Sequence, residues 1–146
     1  MKPQLLLALI GLLIFPAATF AQDRDHAYED GPVWSMSAVR VKPGRFDEYM
    51  RFITTSWKAE HDILKKSGRI LDYKVLRVTD PRDNEPDLYL MVEYRNMAAL
   101  DAPFDENDPA VRQVYGSVAD ANHGDVDRET VRTLRGEMLM REMVLK

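Results

Sequence analysis

Three histidines are the side chains of this 146-residue sequence best suited to acid–base chemistry near neutral pH, and they stand at positions 26, 61 and 123. No two of them have the spacing at which a helix places a pair of metal ligands on one face. The sequence contains no cysteine, so thiol catalysis and thiolate metal sites are impossible. Motifs of phosphate-binding loops, zinc peptidases and serine hydrolases are also absent. We therefore expect neither a metal nor a cofactor.

His61 is the best candidate for a catalytic side chain. It follows Trp57 by four residues and precedes Leu64 by three, which places it at the margin of an apolar helix face. There the imidazole could accept a proton from a ligand that lies beside an aromatic wall. The alternative is a solvated histidine on the helix surface, between Glu60 and Asp62.

Aromatic residues on the predicted strands and on the first helix could surround an apolar ligand together with this histidine. The candidate ligand-binding residues are Trp34, Tyr49, Trp57, His61, Tyr73 and Tyr94. For any single aromatic residue, packing in the core or in a dimer interface is the alternative. Four charged residues interrupt the apolar patterns of the strands, namely Arg40, Arg77, Glu93 and Arg141. These side chains either face a cavity or form salt bridges at the sheet edge or at the dimer interface.

Two further patterns suggest metal binding, and both are better explained without a metal. The acidic stretch over 120–129 lacks the glycine and glutamate of a calcium loop in the registers that start at Asp120 and Asp125. Met138, Met140 and Met143 could bind copper through their thioethers. Strand alternation splits these methionines between two faces, which favours packing.

The N-terminus has the three parts of an export signal. Lys2 gives a positive start, residues 5–15 form an apolar run, and residues 19–21 place small side chains at a cleavage site. The apolar run is too short to span a bilayer as a helix. The sequence therefore predicts a signal over 1–21 that is removed on export to the periplasm or the medium. A flexible lead over 22–32 and one domain over 33–146 would follow.

Removal of the signal makes the chain more acidic. Lys2 is lost from 20 basic residues while all 24 acidic residues stay, which leaves a net charge of −5. An acidic domain without a basic stripe is a poor ligand for nucleic acid or anionic lipid. We therefore expect no nucleic-acid partner and no membrane association of the mature chain.

The predicted elements follow the order strand, helix, strand, strand, helices, strand. Strands are predicted over 33–41, 69–79, 87–95 and 136–145, and helices over 46–66, 97–101, 108–124 and 127–134. In the first helix, apolar residues recur at helical spacing from Phe46 to Leu64. This order is the split βαβ pattern of ferredoxin-like folds, in which helices cover one face of a four-stranded antiparallel sheet. The predicted fold class is α+β.

The predicted strands carry apolar residues on both faces. In the second strand, Ile70, Leu76 and Val78 oppose Leu71, Tyr73 and Val75. Strands whose second face meets water alternate apolar and polar residues, and these strands do not. A second copy of the chain is the simplest partner that could cover the second apolar face, because closed two-fold pairing is the commonest form of oligomer. The sequence predicts a homodimer with its sheets face to face.

The segments VWSMSAVRVKPGRFDEYM, YKVLRV, LYLMVEYRNMAALD and LMREMVLK resemble the dimeric α+β barrel superfamily. The layout is similar to the antibiotic-biosynthesis-monooxygenase-like and NIPSNAP-like members, and to small exported bacterial members without an assigned reaction. The resemblance implies a pocket between sheet and helices in each protomer. Haem-degrading members use an asparagine on the first strand and a histidine within the second long helix. Here Ser35 and Ser37 occupy that strand and His123 ends a predicted helix, which argues against haem.

Three functions are compatible with these patterns. The first is an exported homodimer that binds a small apolar or aromatic molecule. This function is favoured because the sequence contains no recognisable set of catalytic residues. The second is a structural or partner-binding periplasmic protein. The third, which the resemblance implies, is a cofactor-independent monooxygenase-like enzyme in which His61 takes a substrate proton and Trp57 packs against the ring.

Overall fold

The computed structural model describes residues 26–103 and 105–146, and the predicted signal over 1–21 lies outside them. The elements are β1 (Tyr28–Val41), α1 (Phe46–Phe52), a π-helical turn (Ile53–Trp57), α2 (Lys58–Lys66), β2 (Asp72–Arg77), β3 (Leu88–Tyr94), a 3-10 turn (Met97–Leu100), α3 (Asp108–Tyr115), α4 (Val118–Arg128) and β4 (Arg132–Leu145). Within the described ranges, no helix has the length and apolar character needed to cross a membrane.

The four strands form one antiparallel sheet in the order β2-β3-β1-β4. The first and last strands are neighbours, and the two middle strands of the chain complete the sheet on the other side of β1. This is the ferredoxin-like topology, so the predicted α+β class is confirmed. Residues directly opposite each other on neighbouring strands share a face, and the register therefore assigns each paired residue to one side of the sheet.

One side of the sheet packs against the long helix that runs through α1, the π turn and α2. The main buried cluster consists of Val39, Val41, Tyr49, Ile53, Leu88, Leu90 and Val131. A second cluster contains Leu64, Ile70 and Ala110, with Tyr73, Val92 and Tyr94 packed against it. The predicted apolar stripe of the helix is the surface that covers the sheet.

The opposite side of the sheet carries an apolar centre that the described chain leaves open. Two cross-strand rows define it, one with Met91, Met36 and Met138 side by side and the next with Glu93, Trp34 and Met140. Met138 and Met140 are exposed, and so is Leu76 on β2. We call this surface the open face. Its apolar character agrees with the sequence pattern of two apolar sheet faces.

β1 is longer than predicted and includes part of the predicted flexible lead. It begins at Tyr28 rather than Val33, because residues 28–30 pair with residues 143–145 of β4. Ion pairs of Asp30 with Arg141 and of Glu29 with Lys146 join the same two strands. The prediction of a lead over 22–32 is therefore wrong for 28–32, and residues 22–25 lie outside the described residues.

The predicted helix over 108–124 is in fact two helices. Gly116, with a φ of 85°, ends α3, and the Ser117 hydroxyl caps α4 by accepting a hydrogen bond from the backbone N–H of Asp120. α4 passes through Gly124 and continues to Arg128. The predicted helix over 127–134 is also wrong, because β4 already begins at Arg132, which pairs with Val41 of β1.

Replacement of Leu88 by alanine tests the assignment of the core. Leu88 is 1% exposed, so Leu88→Ala should lower the free energy of unfolding by about 2–5 kcal/mol through lost burial and a residual cavity. Leu145→Ala is the control, since Leu145 is 80% exposed and its loss should cost about 0.5 kcal/mol or less. Urea unfolding measures both, and equal destabilisation by the two variants would contradict the assignment.

Candidate functional site

A cleft of about 270 Å³ lies between the covered side of the sheet and the helices. Its walls come from β1, β3 and β4, from the long helix, and from α3 and α4. The lining residues are Ser37, Tyr49, Phe52, Trp57, Glu60, His61, Leu90, Tyr115, Asp125, Arg128, Arg132, Leu134 and Glu137. The cleft thus combines aromatic rings with one histidine, three carboxylates and two guanidinium groups.

The imidazole of His61 lies on an aromatic wall of this cleft. Its ring stacks on Trp57 with a centroid separation of 3.9 Å and an angle of 25° between the planes. Tyr73 meets the Trp57 ring edge-on at 5.3 Å, and its hydroxyl donates a 2.5 Å hydrogen bond to Asp62. Tyr73 therefore holds the indole of Trp57 in place, and the stacking of this indole on the imidazole orients His61.

A hydrogen bond decides which nitrogen of His61 is available. Nδ1 lies 2.8 Å from the backbone carbonyl oxygen of Trp57. A carbonyl can only accept, so Nδ1 donates its proton, and in the neutral ring Nε2 carries a free lone pair. His61 is 9% exposed, and burial lowers the pKa of its imidazole below the usual 6.5. The ring is therefore a neutral hydrogen-bond acceptor at pH 7.

Nε2 of His61 is open to the cleft. It has no hydrogen-bond partner in the described part of the chain, where Nδ1 makes the bond to Trp57. Among the described residues, Arg128 Nε is the only buried side-chain polar atom without a hydrogen-bond partner. Because His61 Nε2 also has no partner, it cannot be a buried atom and must be accessible. A ligand that enters the cleft can reach this lone pair.

The π-helical turn lies within the stretch of helix that lines the site and ends at Trp57. Thr54 and Thr55 donate their hydroxyl hydrogens to the carbonyl oxygens of Met50 and Arg51, at 2.9 Å and 2.7 Å. A π turn inserts one residue into the helix and rotates the face that follows, and such turns are frequent at functional sites. The turn thereby sets the direction in which Trp57 and His61 leave the helix.

The two arginines of the cleft are already bound by protein groups. Arg132 is 4% exposed and forms ion pairs with Asp125, at 2.5 Å, and with Glu129. Arg128 donates to Asp125 at 3.2 Å, and its guanidinium carbon lies 4.0 Å from the centre of the Phe52 ring. These contacts attach α4 to the long helix and to β4 at the mouth of the cleft.

Two carboxylates of the cleft accept hydrogen bonds from hydroxyl groups. Glu60 accepts from the Tyr115 hydroxyl at 3.2 Å, and Glu137 accepts from the Ser37 hydroxyl at 3.2 Å. Burial, together with the negative charge of Glu60, raises the pKa of the Tyr115 phenol. Tyr115 is therefore protonated at neutral pH and donates to Glu60.

The structure brings together half of the predicted ligand-binding residues. Those that line the cleft are Tyr49, Trp57 and His61. Tyr73 supports Trp57 and lines a shallow apolar groove of about 180 Å³ outside the cleft. Tyr94 packs in the second buried cluster. Trp34 lies on the open face, where its Nε1 donates to Glu142 at 3.3 Å and Lys74 lies 4.6 Å from its ring centre.

The four strand charges do not line the cleft. Arg40 donates to the carbonyl oxygen of Glu85 at 2.6 Å, and Arg77 lies 4.5 Å from the centre of the Phe46 ring. Arg141 pairs with Asp30. Glu93 forms no salt bridge with a described residue, and burial raises the pKa of its carboxyl. It shares a row of the open face with Trp34.

A larger depression of about 550 Å³ lies beyond the C-terminal end of α2, but its chemistry is poorer. No aromatic side chain among the described residues lines it, and its Arg69 is paired with Glu106 at 3.2 Å. Across the described ranges, no group of three or more His, Asp or Glu side chains could hold a metal ion. The cleft beside His61 is therefore the candidate site.

Several lining residues escape sequence reasoning. Tyr115, Asp125 and Arg128 come from α3 and α4, where the predicted helix boundaries are wrong, and Arg132 and Glu137 come from β4. No motif marks them, because the chain brings them to the cleft only when β4 returns to pair with β1. The i, i+4 spacing of Arg128 and Arg132 is the one local signal, and it resembles an ordinary solvated helix face.

Comparison with solved structures supports the fold. HapK from Hahella chejuensis superposes with a TM-score of 0.50 at 9% sequence identity, over 75% of this chain and 91% of that chain. A dimeric ferredoxin-like protein from an uncultured marine organism gives a TM-score of 0.49 at 15% identity, over 81% of this chain and 98% of that chain. No protein-family model and no curated protein matches the sequence. The likeness to HapK establishes the architecture and leaves the activity open.

The pH dependence of stability should report the buried imidazole. Below pH 6.5 the unfolded chain protonates His61 while the folded protein keeps it neutral, so the unfolded state binds more protons. The free energy of unfolding should therefore fall as the pH drops from about 7 toward the lowered pKa. Urea unfolding at several pH values should show that His61→Gln removes this component and that His123→Gln retains it. Identical profiles for wild type and His61→Gln would refute the assignment.

Proposed function

We propose that this chain is an exported homodimeric α+β barrel protein, each protomer of which binds a small aromatic molecule in the cleft beside His61. One observation carries the proposal: His61 is nine-tenths buried, yet its Nε2 has no partner in the described chain. The rest of the imidazole is enclosed, so this accessible nitrogen is the atom through which His61 can accept a hydrogen bond from a ligand in the cleft.

The size and walls of the cleft favour a small aromatic ligand. A volume of about 270 Å³ lies just below the usual range of drug-binding pockets and suits a molecule of one or two rings. Trp57, Phe52 and Tyr49 give the cleft an aromatic lining, and an aromatic ligand can pack on the parts of it that His61 and Arg128 leave uncovered. A phenol or an arylamine could pack there while its O–H or N–H donates to His61.

Cofactor-independent oxygenation, as in the monooxygenase-like members of the superfamily that this sequence resembles, is the second candidate function. The observation in its favour is the same free lone pair, because a neutral imidazole can remove a proton from a phenol. Binding alone needs nothing beyond the groups already described, whereas oxygenation also requires a reactive substrate. We therefore place binding first.

The open face supports the proposal of a homodimer. Its centre is formed by Trp34, Met36, Met91, Met138 and Met140, and exposed apolar patches of this kind mark interaction sites. Methionine side chains adapt to an irregular partner surface. A second copy would cover the patch through a two-fold interface in which the same surface is used twice.

Export is proposed from the sequence pattern of residues 1–21. A periplasmic or extracellular location agrees with the absence of cysteine, because the fold has no thiol to protect from oxidation. The cleft would then be accessible to molecules outside the cytoplasm.

Ligand binding can be followed through Trp57, because the chain has two tryptophans and Trp34→Phe leaves Trp57 as the sole reporter. In this background, p-cresol should quench or shift Trp57 emission saturably, with excitation where phenols do not absorb. His61→Gln should weaken binding about tenfold, equivalent to about 1.4 kcal/mol, because the acceptor nitrogen is replaced. His123→Gln is the matched control and should bind normally. The absence of any saturable change with phenols, naphthols or arylamines would contradict the proposal.

The same variants separate binding from oxygenation. If the protein is an enzyme, it should consume a phenol or naphthol and dissolved oxygen, and His61→Gln should abolish the consumption. Binding that depends on His61 without any turnover supports the binding function.

A pair of adjacent residues on β4 tests the homodimer. Met138 and Leu139 are 47% and 54% exposed, but strand alternation places them on opposite sides of the sheet. Met138→Glu puts a charge in the open face and should convert a dimer into a monomer, whereas Leu139→Glu should leave the dimer intact. Light scattering coupled to size exclusion gives the masses. A monomeric wild-type protein, or a dimer that only Leu139→Glu disrupts, would overturn this interface.

A further inference from the structure

We infer that the cleft selects aromatic molecules that carry an ammonium group over those that carry a carboxylate. The inference rests on the proposed function, since it names the charge class of the ligand that the same cleft takes. The protein pairs some charged groups of the cleft with each other and leaves others without an oppositely charged partner. The inferred selectivity follows from this difference.

The carboxylates of Glu60 and Glu137 line the cleft without a cationic partner. Neither forms a salt bridge with any residue in the described part of the chain, where their side-chain contacts are the hydroxyl groups of Tyr115 and Ser37. A hydroxyl donates one hydrogen bond and brings no positive charge, so no protein cation neutralises either side chain and both retain free lone pairs. Both are therefore available to an additional donor.

The arginines of the cleft cannot serve an anionic ligand equally well. Arg132 is 4% exposed and is held between Asp125 and Glu129. Arg128 pairs with Asp125 and packs on the Phe52 ring. A ligand carboxylate would have to displace these acceptors and then lie near Glu60 and Glu137, where like charges repel.

His61 provides the independent indication that a donor ligand belongs here. It is nine-tenths buried, it lines the cleft, and its neutral ring presents an acceptor at Nε2 rather than a donor. Arg128 Nε also lacks a partner among the described residues, but it is a buried donor that a ligand cannot reach. The accessible groups of the cleft that remain unengaged are thus acceptors: one imidazole nitrogen and two carboxylates. A ligand complementary to them donates hydrogen bonds and carries positive charge.

The aromatic walls favour the same ligand. Aromatic faces carry negative potential and attract cations, as the Phe52 ring already does for Arg128, and the Tyr115 ring also lines the cleft. A metal ion is a poorer fit, because no cluster of three or more suitable His, Asp or Glu ligands exists in the described ranges. The positive charge therefore belongs to an organic ammonium attached to an aromatic group, as in an arylalkylamine.

Three probes that share one phenol ring isolate the effect of charge: tyramine is cationic, p-cresol is neutral and 3-(4-hydroxyphenyl)propionate is anionic at pH 7. Calorimetric titration of the mature full chain should give an affinity for tyramine at least about tenfold above that for the propionate, with p-cresol between them. Glu60→Gln and Glu137→Gln keep the side-chain size and should each reduce this ratio. Glu29→Gln, at the far end of β1 and outside the cleft, should leave it unchanged.

The outcomes separate this inference from the proposed function. If the three probes bind with equal affinity, or the propionate binds best, the charge selectivity is wrong while the aromatic binding function stands. If tyramine binds best but the Glu60→Gln and Glu137→Gln variants keep the full ratio, the assignment of selectivity to these carboxylates is wrong. If no probe binds, the proposed function fails and the selectivity fails with it.

Discussion

The hydrogen bond from His61 Nδ1 to the carbonyl oxygen of Trp57 is the interaction on which the site depends. It joins two residues one helical turn apart, so the helix backbone itself fixes the position of the donor nitrogen. The indole stacks on the imidazole and prevents rotation of the ring, and burial keeps the ring neutral. Together these contacts leave one lone pair available to the cleft, and the chemistry of the proposed ligand is derived from it.

The sheet forms one wall of this site and separates the site from the open face on its other side. Ser37 of β1 contributes to the cleft on the covered side, whereas its neighbour Met36 lies in the open face. A central strand with alternating side chains thus contributes to the candidate cleft on one face and to an apolar surface on the other. If a second copy covers the open face, dimer formation would hold the strands beneath the cleft without occupying the cleft itself.

The sequence predicts the fold well because the signals involved are local and periodic. The stripe from Phe46 to Leu64 and the order of the elements predict the ferredoxin-like sheet, and helical spacing alone places His61 and Trp57 beside each other. The continuous helical pattern over 108–124 does not predict the boundary between α3 and α4, where Gly116 ends one helix and Ser117 caps the next. The sequence also places Trp34 in the candidate ligand set, because strands that are apolar on both faces do not reveal which face meets the helices. Arg132 and Glu137 reach the cleft only through long-range strand pairing, which no local pattern predicts.

Nitrogen-15 NMR of the histidine rings tests the central claim most directly, with the His61 signals assigned by comparison with His61→Gln. Near neutral pH, the free protein should show His61 with Nδ1 protonated and Nε2 unprotonated. Addition of p-cresol should shift the Nε2 resonance toward that of a hydrogen-bonded acceptor while Nδ1 stays protonated. A free protein that carries the proton on Nε2, or an Nε2 resonance that does not move at saturating phenol, would contradict the account.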